Sequence, residues 1–298
     1  MKIRTIDLEF LGTAEAIAVY LMETDDGPIL FETGPYSCLP KLEEGLSKYG
    51  YTTDDIKHVF LTHIHLDHAG AAWYFAEKGA QIYVHPIGHR HLLDTTKLVE
   101  SATKIYKDQM DYLWGAFRSV DAKQMIVAHH EERFKVYGHE IKSLHTPGHA
   151  SHHIAWKTSE GIICGDVAGI RMGNGPAVVP CPPPDIHLEY WKRSIDILLA
   201  EKPEKIYLSH FGAYEEAVAH LQQLQNEINA LDLYVSGLYN NDQDIKNAFV
   251  PFGDWFEKRV QSLTNDSKLT ERYCISNPPW MSIRGLYRYY RKQKENIK

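Results

Sequence analysis

Cysteine is scarce in this 298-residue chain. Cys38, Cys164, Cys181 and Cys274 stand far apart, with no CxxC pair. That spacing excludes a dense disulfide framework and reads as reduced, mostly buried thiols of a cytosolic protein. No run approaches the ~18 consecutive apolar residues of a membrane span. The opening segment from Met1 carries two bases, but Asp7 and Glu9 interrupt its apolar residues, which argues against a secretory signal. A basic surplus is also missing. Lys and Arg number 32 against 39 Asp and Glu, a formal net charge of −7, which disfavours a general nucleic-acid binder. There is no internal repeat and no low-complexity segment. Apolar residues at 44% and charged residues at 24% are an ordinary globular balance, and the chain is long enough to bury a core without staples. Histidine, by contrast, is abundant: there are 17, and several cluster.

The first third alternates strand and helix signals. Arg4–Leu11, Ile17–Thr24 and Pro28–Glu32 read as strands, with a hairpin turn at Asp25-Asp26-Gly27. Leu42, Leu46 and Tyr49 give Lys41–Tyr49 a helical spacing. Lys57–Thr62 reads as a buried strand, Ala69–Lys78 as a helix stopped by Gly79, and Gln81–His85 as a further strand. This order predicts an α/β sandwich. Residues 88–120 read as one or two inserted helices. Strands resume at Ile141–Leu144, His153–Lys157 and Gly161–Cys164. Leu188–Ala200 reads as a helix and Lys205–Leu208 as the last strand. From Gly212 the pattern is mainly helical, with one helix over Glu215–Leu231 and no clear pattern over 232–277.

The chemistry concentrates at strand ends. Thr62-His63-Ile64-His65-Leu66-Asp67-His68 follows a buried strand and precedes a helix. His63 and His65 sit two apart in extended chain, so both reach one side. Asp67 and His68 approach from the turn into the helix. Imidazole and carboxylate together suit zinc, with iron or manganese as alternatives. His149 in Thr146-Pro147-Gly148-His149, Asp166 after Ile162–Cys164, and His210 after Ile206–Leu208 lie where α/β sheets gather ligands. Together they make a pair of ions possible.

The ordered set HxHxDH, His149, Asp166 and His210 closely resembles the metallo-β-lactamase superfamily over about the first 215 residues. The resemblance implies a four-layer αββα sandwich as a catalytic core over 1–215, with a helical insertion at about 88–120. A mainly helical extension would follow over 216–298. It implies two divalent metal ions: His63, His65 and His149 on the first, Asp67, His68 and His210 on the second, and Asp166 bridging. It resembles the glyoxalase II and lactonase branches in this set. His65 stands where the flavodiiron branch carries Glu. Members commonly carry Asp-Thr-Gly at the third strand; this chain has Glu32-Thr33-Gly34. Glu32 is therefore expected either to support a ligand His or to be a plain strand-end charge.

His145 and His153 lie four residues either side of His149 and are expected to be satisfied by backbone groups. Tyr106, Tyr112, Trp114 and Phe117 belong to the insertion, as ordinary packing or as an aromatic wall of the pocket. The Pro180–Pro184 run cannot be a central strand. Six basic residues between Arg284 and Lys298, against Glu295 alone, read as a solvated helix face. The function expected is a cytoplasmic metal-dependent hydrolase. A hydroxide held by two metals would cleave a carboxylic ester, thioester or lactone, with Asp67 in proton transfer. Its partner is a small molecule, with no nucleic acid and no membrane. Two readings compete: a mono-iron dioxygenase resembling the persulfide dioxygenase branch, and a phosphodiesterase. A binding protein that has lost turnover stands behind both.

Overall fold

The computed structural model describes residues 2–242 and 244–296; Met1, Gln243, Ile297 and Lys298, the last of the basic run, lie outside the described residues. The chain divides into two compact units. The first runs through His145 and adds His152–Gly165 and Lys205–Glu215. The second joins Thr146–Ser151, Asp166–Glu204 and the residues from Glu216 onward.

Two six-stranded sheets make up the first unit. One is β1 (Lys2–Asp7), β2 (Ala18–Thr24), β3 (Gly27–Phe31), β4 (His58–Phe60), β5 (Gln81–Val84) and β6 (Met125–Val127), adjacent in chain order. Its first two pairings are antiparallel and the next three parallel. The other is β7 (Arg133–Val136), β8 (His139–His145), β9 (Ile154–Thr158), β10 (Gly161–Ile163), β11 (Ile206–Leu208) and β12 (Gly212–Tyr214), antiparallel except for β10–β11. The helices of this unit are α1 (Leu39–Ser47), α2 (Leu66–Ala69), α3 (Ala72–Glu77), α4 (Pro86–Leu93), α5 (Thr96–Tyr106) and α6 (Met110–Trp114).

Strand alternation divides two cores. Along β2, Ala18, Tyr20 and Met22 join a cluster with Phe31, Phe60, Tyr83, Ile154, Trp156 and Tyr207, drawn from both sheets. Val19 and Leu21, pointing the other way, join Leu30, Val59, Ile82 and Val84 under Leu42, Leu46, Trp73 and Phe75. Successive side chains leave a strand on opposite faces. A sheet covered on both faces therefore needs the unbroken apolar run seen at 17–22. Trp156 meets Phe60 edge-on at 4.9 Å and its indole donates to the Leu61 carbonyl at 3.0 Å, tying the sheets together beside the HxHxDH segment.

Some predicted elements need correction. The first strand stops at Asp7 and a short turn occupies Phe10–Gly12, because Asp7 accepts from the Glu9 and Glu15 amides and folds the chain back. The helix expected over Ala69–Lys78 is two pieces, α2 and α3. They are separated at Gly70–Ala71, where the Ala71 amide bonds Gly34 O at 3.0 Å. Strands β6, β7 and β12 were not foreseen.

The second unit carries α7 (Leu188–Ala200), α8 (Ala217–Asn241), α9 (Phe249–Thr264), α10 (Ser267–Ser276) and α11 (Pro279–Asn296). The helix expected to end at Leu231 continues to Asn241. The 232–277 stretch, unpatterned in sequence, is the end of α8 and then α9 and α10. Among the described residues, no helix is long and apolar enough to cross a membrane.

Candidate metal centre

In the first unit, Glu32 follows β3, the His63–His68 segment follows β4, and His210 follows β11. The carboxyl ends of strands thus deliver side chains to one place. Three ligand atoms, one each from Asp67, His68 and His210, lie within 4.8 Å of one another. His68 Nδ1 is 3.2 Å from Glu32 Oε1, and its Nε2 is 3.6 Å from Asp67 Oδ2. His210 Nδ1 donates to the Ala16 carbonyl at 2.8 Å, and its Nε2 is 3.3 Å from the same Asp67 oxygen. Each imidazole sets its Nδ1 against an acceptor and turns its Nε2 toward the carboxylate. An acceptor behind the ring fixes the tautomer and raises ligand basicity. Electron-rich atoms gathered this closely fit a cation.

His63 is fully buried. Its Nδ1 donates to Thr62 Oγ1 at 3.0 Å, and that hydroxyl in turn donates to Glu32 Oε1 in a short bond. His63 Nε2 then faces His65 Nδ1 at 2.9 Å. Glu32 Oε2 accepts the Thr62 amide at 3.3 Å, and Oε1 accepts the Ser209 hydroxyl at 3.4 Å. Glu32 also forms a group with His63 and His68 within 4.8 Å, but its oxygens are already engaged by these donors. It supports the histidines and reads poorly as a ligand. Its backbone is left-handed at φ 66°, a conformation that costs a residue of this size and often marks functional positions. Thr33 completes the motif: its amide and hydroxyl bond the His68 carbonyl at 2.8 and 2.9 Å. The strand-end Glu-Thr pair therefore holds His68 by ring and by backbone.

In the second unit His149 repeats the arrangement. Nδ1 donates to the Pro180 carbonyl at 3.1 Å, and Nε2 lies 3.3 Å from Asp166 Oδ2. Both residues are buried. Gly148, at φ 145°, lies so close to the Trp191 backbone that a Cβ has no room, which makes glycine necessary just before this histidine.

Other singled-out residues fall elsewhere. His145 Nε2 donates to the Ala128 carbonyl at 2.9 Å, and His130 accepts its amide. The His153 ring, fully buried, is 5.1 Å from that of His63, yet no metal-type grouping among the described residues includes His152 or His153. Tyr112 is exposed, while Trp114 stacks on Phe10 at 5.5 Å and meets Tyr106 edge-on at 5.1 Å. Burial, and then the charge of Asp67, hold the Tyr106 phenol well above its ordinary pKa. Sequence reasoning missed Thr62 and Ser209 as supports of Glu32. Their places beside His63 and His210 were the available signal. The Ala16 and Pro180 carbonyls had none.

The model of the metallo-beta-lactamase superfamily matches residues 12–210. A metallo-beta-lactamase fold-containing protein, ST1585, of Sulfurisphaera tokodaii is 26% identical over 220 residues, covering 70% of this chain and 79% of that protein. An N-acyl homoserine lactonase of Bacillus thuringiensis is 25% identical over 217 residues, covering 62% of this chain and 77% of its own. Among solved structures, ST1585 superposes with a TM-score of 0.61 at 23% identity, covering 76% of this chain and 85% of that one. A metallo-beta-lactamase family protein of Thermus thermophilus has a TM-score of 0.61 at 22% identity, covering 74% and 77%. The two sheets with flanking helices, the strand-end histidines and the matched span agree, and the chain belongs to the metallo-beta-lactamase superfamily as a metallohydrolase of that fold.

Proposed function

We propose that the chain is a dinuclear metal-dependent hydrolase of a carboxylic ester, thioester or lactone. In this reading His63, His65 and His149 hold one divalent ion. Asp67, His68 and His210 would hold a second, with Asp166 available to serve both. Zinc is the proposed metal, from the nitrogen-rich donor set. The observation that carries the reading is the Asp67–His68–His210 group. Both of its imidazoles have their second nitrogen tied to an acceptor, as working metal ligands do. A mono-iron oxygenase needs no such second set.

When bound, two such ions would supply Lewis acidity, polarising a scissile carbonyl and lowering the pKa of a shared water toward neutrality. The protein's own contribution is orientation. Glu32 and the Ala16 and Pro180 carbonyls engage Nδ1 of three histidines and so aim the rings. Asp67, which faces Nε2 of both His68 and His210, is placed to take a proton from the attacking water and return it to the leaving group. Burial first, and then the charge of Asp67, keep the Tyr106 phenol protonated.

Support for the substrate class comes from the lactonase relative and from the aromatic insertion. The setting proposed is the cytoplasm, in keeping with four unpaired cysteines, and the partner is a small molecule. The test is metal analysis of protein expressed without supplementation, together with turnover of an acyl thioester, a lactone and bis-p-nitrophenyl phosphate. Two metal equivalents with turnover of a carboxylic substrate are expected. Turnover of the phosphate alone, or one iron per chain with oxygen uptake, would overturn the proposal.

A further inference from the structure

Residues 172–184 contain Pro176, Pro180, Pro182, Pro183 and Pro184. Proline has no amide proton and cannot donate to a sheet ladder. The Ile170–Val178 pair is the one bridge described there. The segment's remaining backbone groups need partners from side chains, since buried polar backbone is rarely left unpaired. Most of those partners come from α10, α11 and the link between them, with His149, Arg171 and, on α8, Gln223 supplying others.

Three consecutive residues are each claimed. Asn277 Nδ2 donates to the Val179 carbonyl at 3.1 Å. The Pro180 carbonyl accepts from His149 Nδ1 at 3.1 Å. The Cys181 amide donates to Ser282 Oγ at 3.2 Å, and that hydroxyl donates to Asn277 Oδ1 at 2.9 Å. Asn277 and Ser282 are buried at 4% and 1% exposure and bonded to each other, so they form one bracket spanning Pro180. Further along α11, Gly285 lies against the Cys181 carbonyl with no room for a Cβ, and Arg288 Nε donates to the Pro184 carbonyl at 3.1 Å. Upstream, the Tyr273 hydroxyl accepts the Met172 amide at 2.9 Å and donates to the Pro176 carbonyl at 2.7 Å. The family match ends at residue 210, so the α10 and α11 groups that make these bonds lie outside it.

We propose that Asn277 and Ser282 are positioning residues for His149: their bracket fixes the Pro180 carbonyl, which sets the tautomer and tilt of the His149 ring. The helices beyond residue 216 would then be part of the metal centre's support. This rests on the reading of His149 as a metal ligand. The bracket has no direct bond to His149, so its influence runs entirely through the 179–181 backbone. Loss of an outer support of this kind typically weakens metal affinity ~10–100-fold.

The experiment uses the full chain with Ser282→Ala, Asn277→Ala and His149→Ala. Trp255→Ala serves as control; Trp255 stacks on Tyr234 between α9 and α8, away from the bonds that hold the 172–184 segment. Each variant is stripped of metal and its Tm measured. Zinc affinity is then read by chelator competition, and the visible spectrum is recorded after loading with cobalt(II) alone. Ser282→Ala and Asn277→Ala are expected to weaken one metal equivalent ~10–100-fold and to shift the cobalt bands. Trp255→Ala should lower Tm and leave both unchanged. If Ser282→Ala fails to fold, Asn277→Ala carries the same test from the other end of the bracket. Wild-type affinity and spectrum in both bracket variants, with one equivalent lost in His149→Ala, would overturn the positioning role and leave the ligand reading intact. Two full equivalents retained in His149→Ala would overturn the ligand reading itself.

Discussion

Glu32 offers the sharpest test of how the first unit holds its histidines. Its carboxylate is 1% exposed and engages the Thr62 amide, the Thr62 and Ser209 hydroxyls, and His68 Nδ1. In Glu32→Ala the two hydroxyls can turn toward other acceptors. The Thr62 amide and the His68 ring proton cannot. Each fixed donor left buried without a partner costs about 1–3 kcal/mol, so roughly 2–6 kcal/mol of stability is at stake. A typical domain has only about 5–15 kcal/mol in all. Glu32→Gln keeps the shape and one acceptor oxygen. With its oxygen toward Thr62 Oγ1 and His68, its amide confronts the Thr62 amide, for a cost of about 1–3 kcal/mol. The assay is urea unfolding of the metal-stripped proteins, followed by chelator competition on the loaded ones. The expected order of stability is wild type, Gln, Ala, with metal affinity lowest in Glu32→Ala, the variant in which His68 loses its tether. A Glu32→Ala protein within about 1 kcal/mol of wild type would refute the reasoning, because it would mean those donors have other partners.

Asp67→Ala is expected to lower kcat/KM for the best carboxylic substrate by about 10²–10⁴ and to lose one metal equivalent, read by elemental analysis; full activity with two equivalents would reject its role. His153→Ala should keep normal metal content and lose stability only, since no metal-type grouping among the described residues includes that ring; loss of a whole equivalent would show that the ligand set was drawn wrongly. Acid should destabilise the fold beyond what its carboxylates explain. Burial, then neighbouring His145 and His129, pushes His85 down to about 3, and burial pushes His220 to about 4, from an ordinary 6.5. Both are neutral in the fold, so their contribution is complete above pH 6.5 and is lost as the unfolded chain takes up protons below it. Thermal melts from pH 7.5 down to 5 should fall more steeply in wild type than in His220→Gln; equal slopes would contradict this.

The fold was legible where local pattern and burial agree. The run from Ile17 to Met22 is apolar at every position because one face meets the helices and the other meets the second sheet. Strands of three or four residues, such as β6, β7 and β12, carry too little periodicity to read. The tail of α8 and all of α9 lacked a clear pattern because exposed Leu233 and Val250 blur the apolar stripe. The Gly70–Ala71 break depends on Gly34, far away in the chain.

The metal-type side chains themselves were written in the sequence, since imidazole and carboxylate at strand ends in that order have few other uses. What holds them was not. Thr62, Ser209 and the carbonyls of Ala16 and Pro180 act through distance and angle, and a backbone carbonyl has no residue code. Asn277 and Ser282 lie more than a hundred residues from His149 in the chain. Only folding brings the 179–181 backbone between them, because hydrogen bonds answer to position in space and composition records none of it.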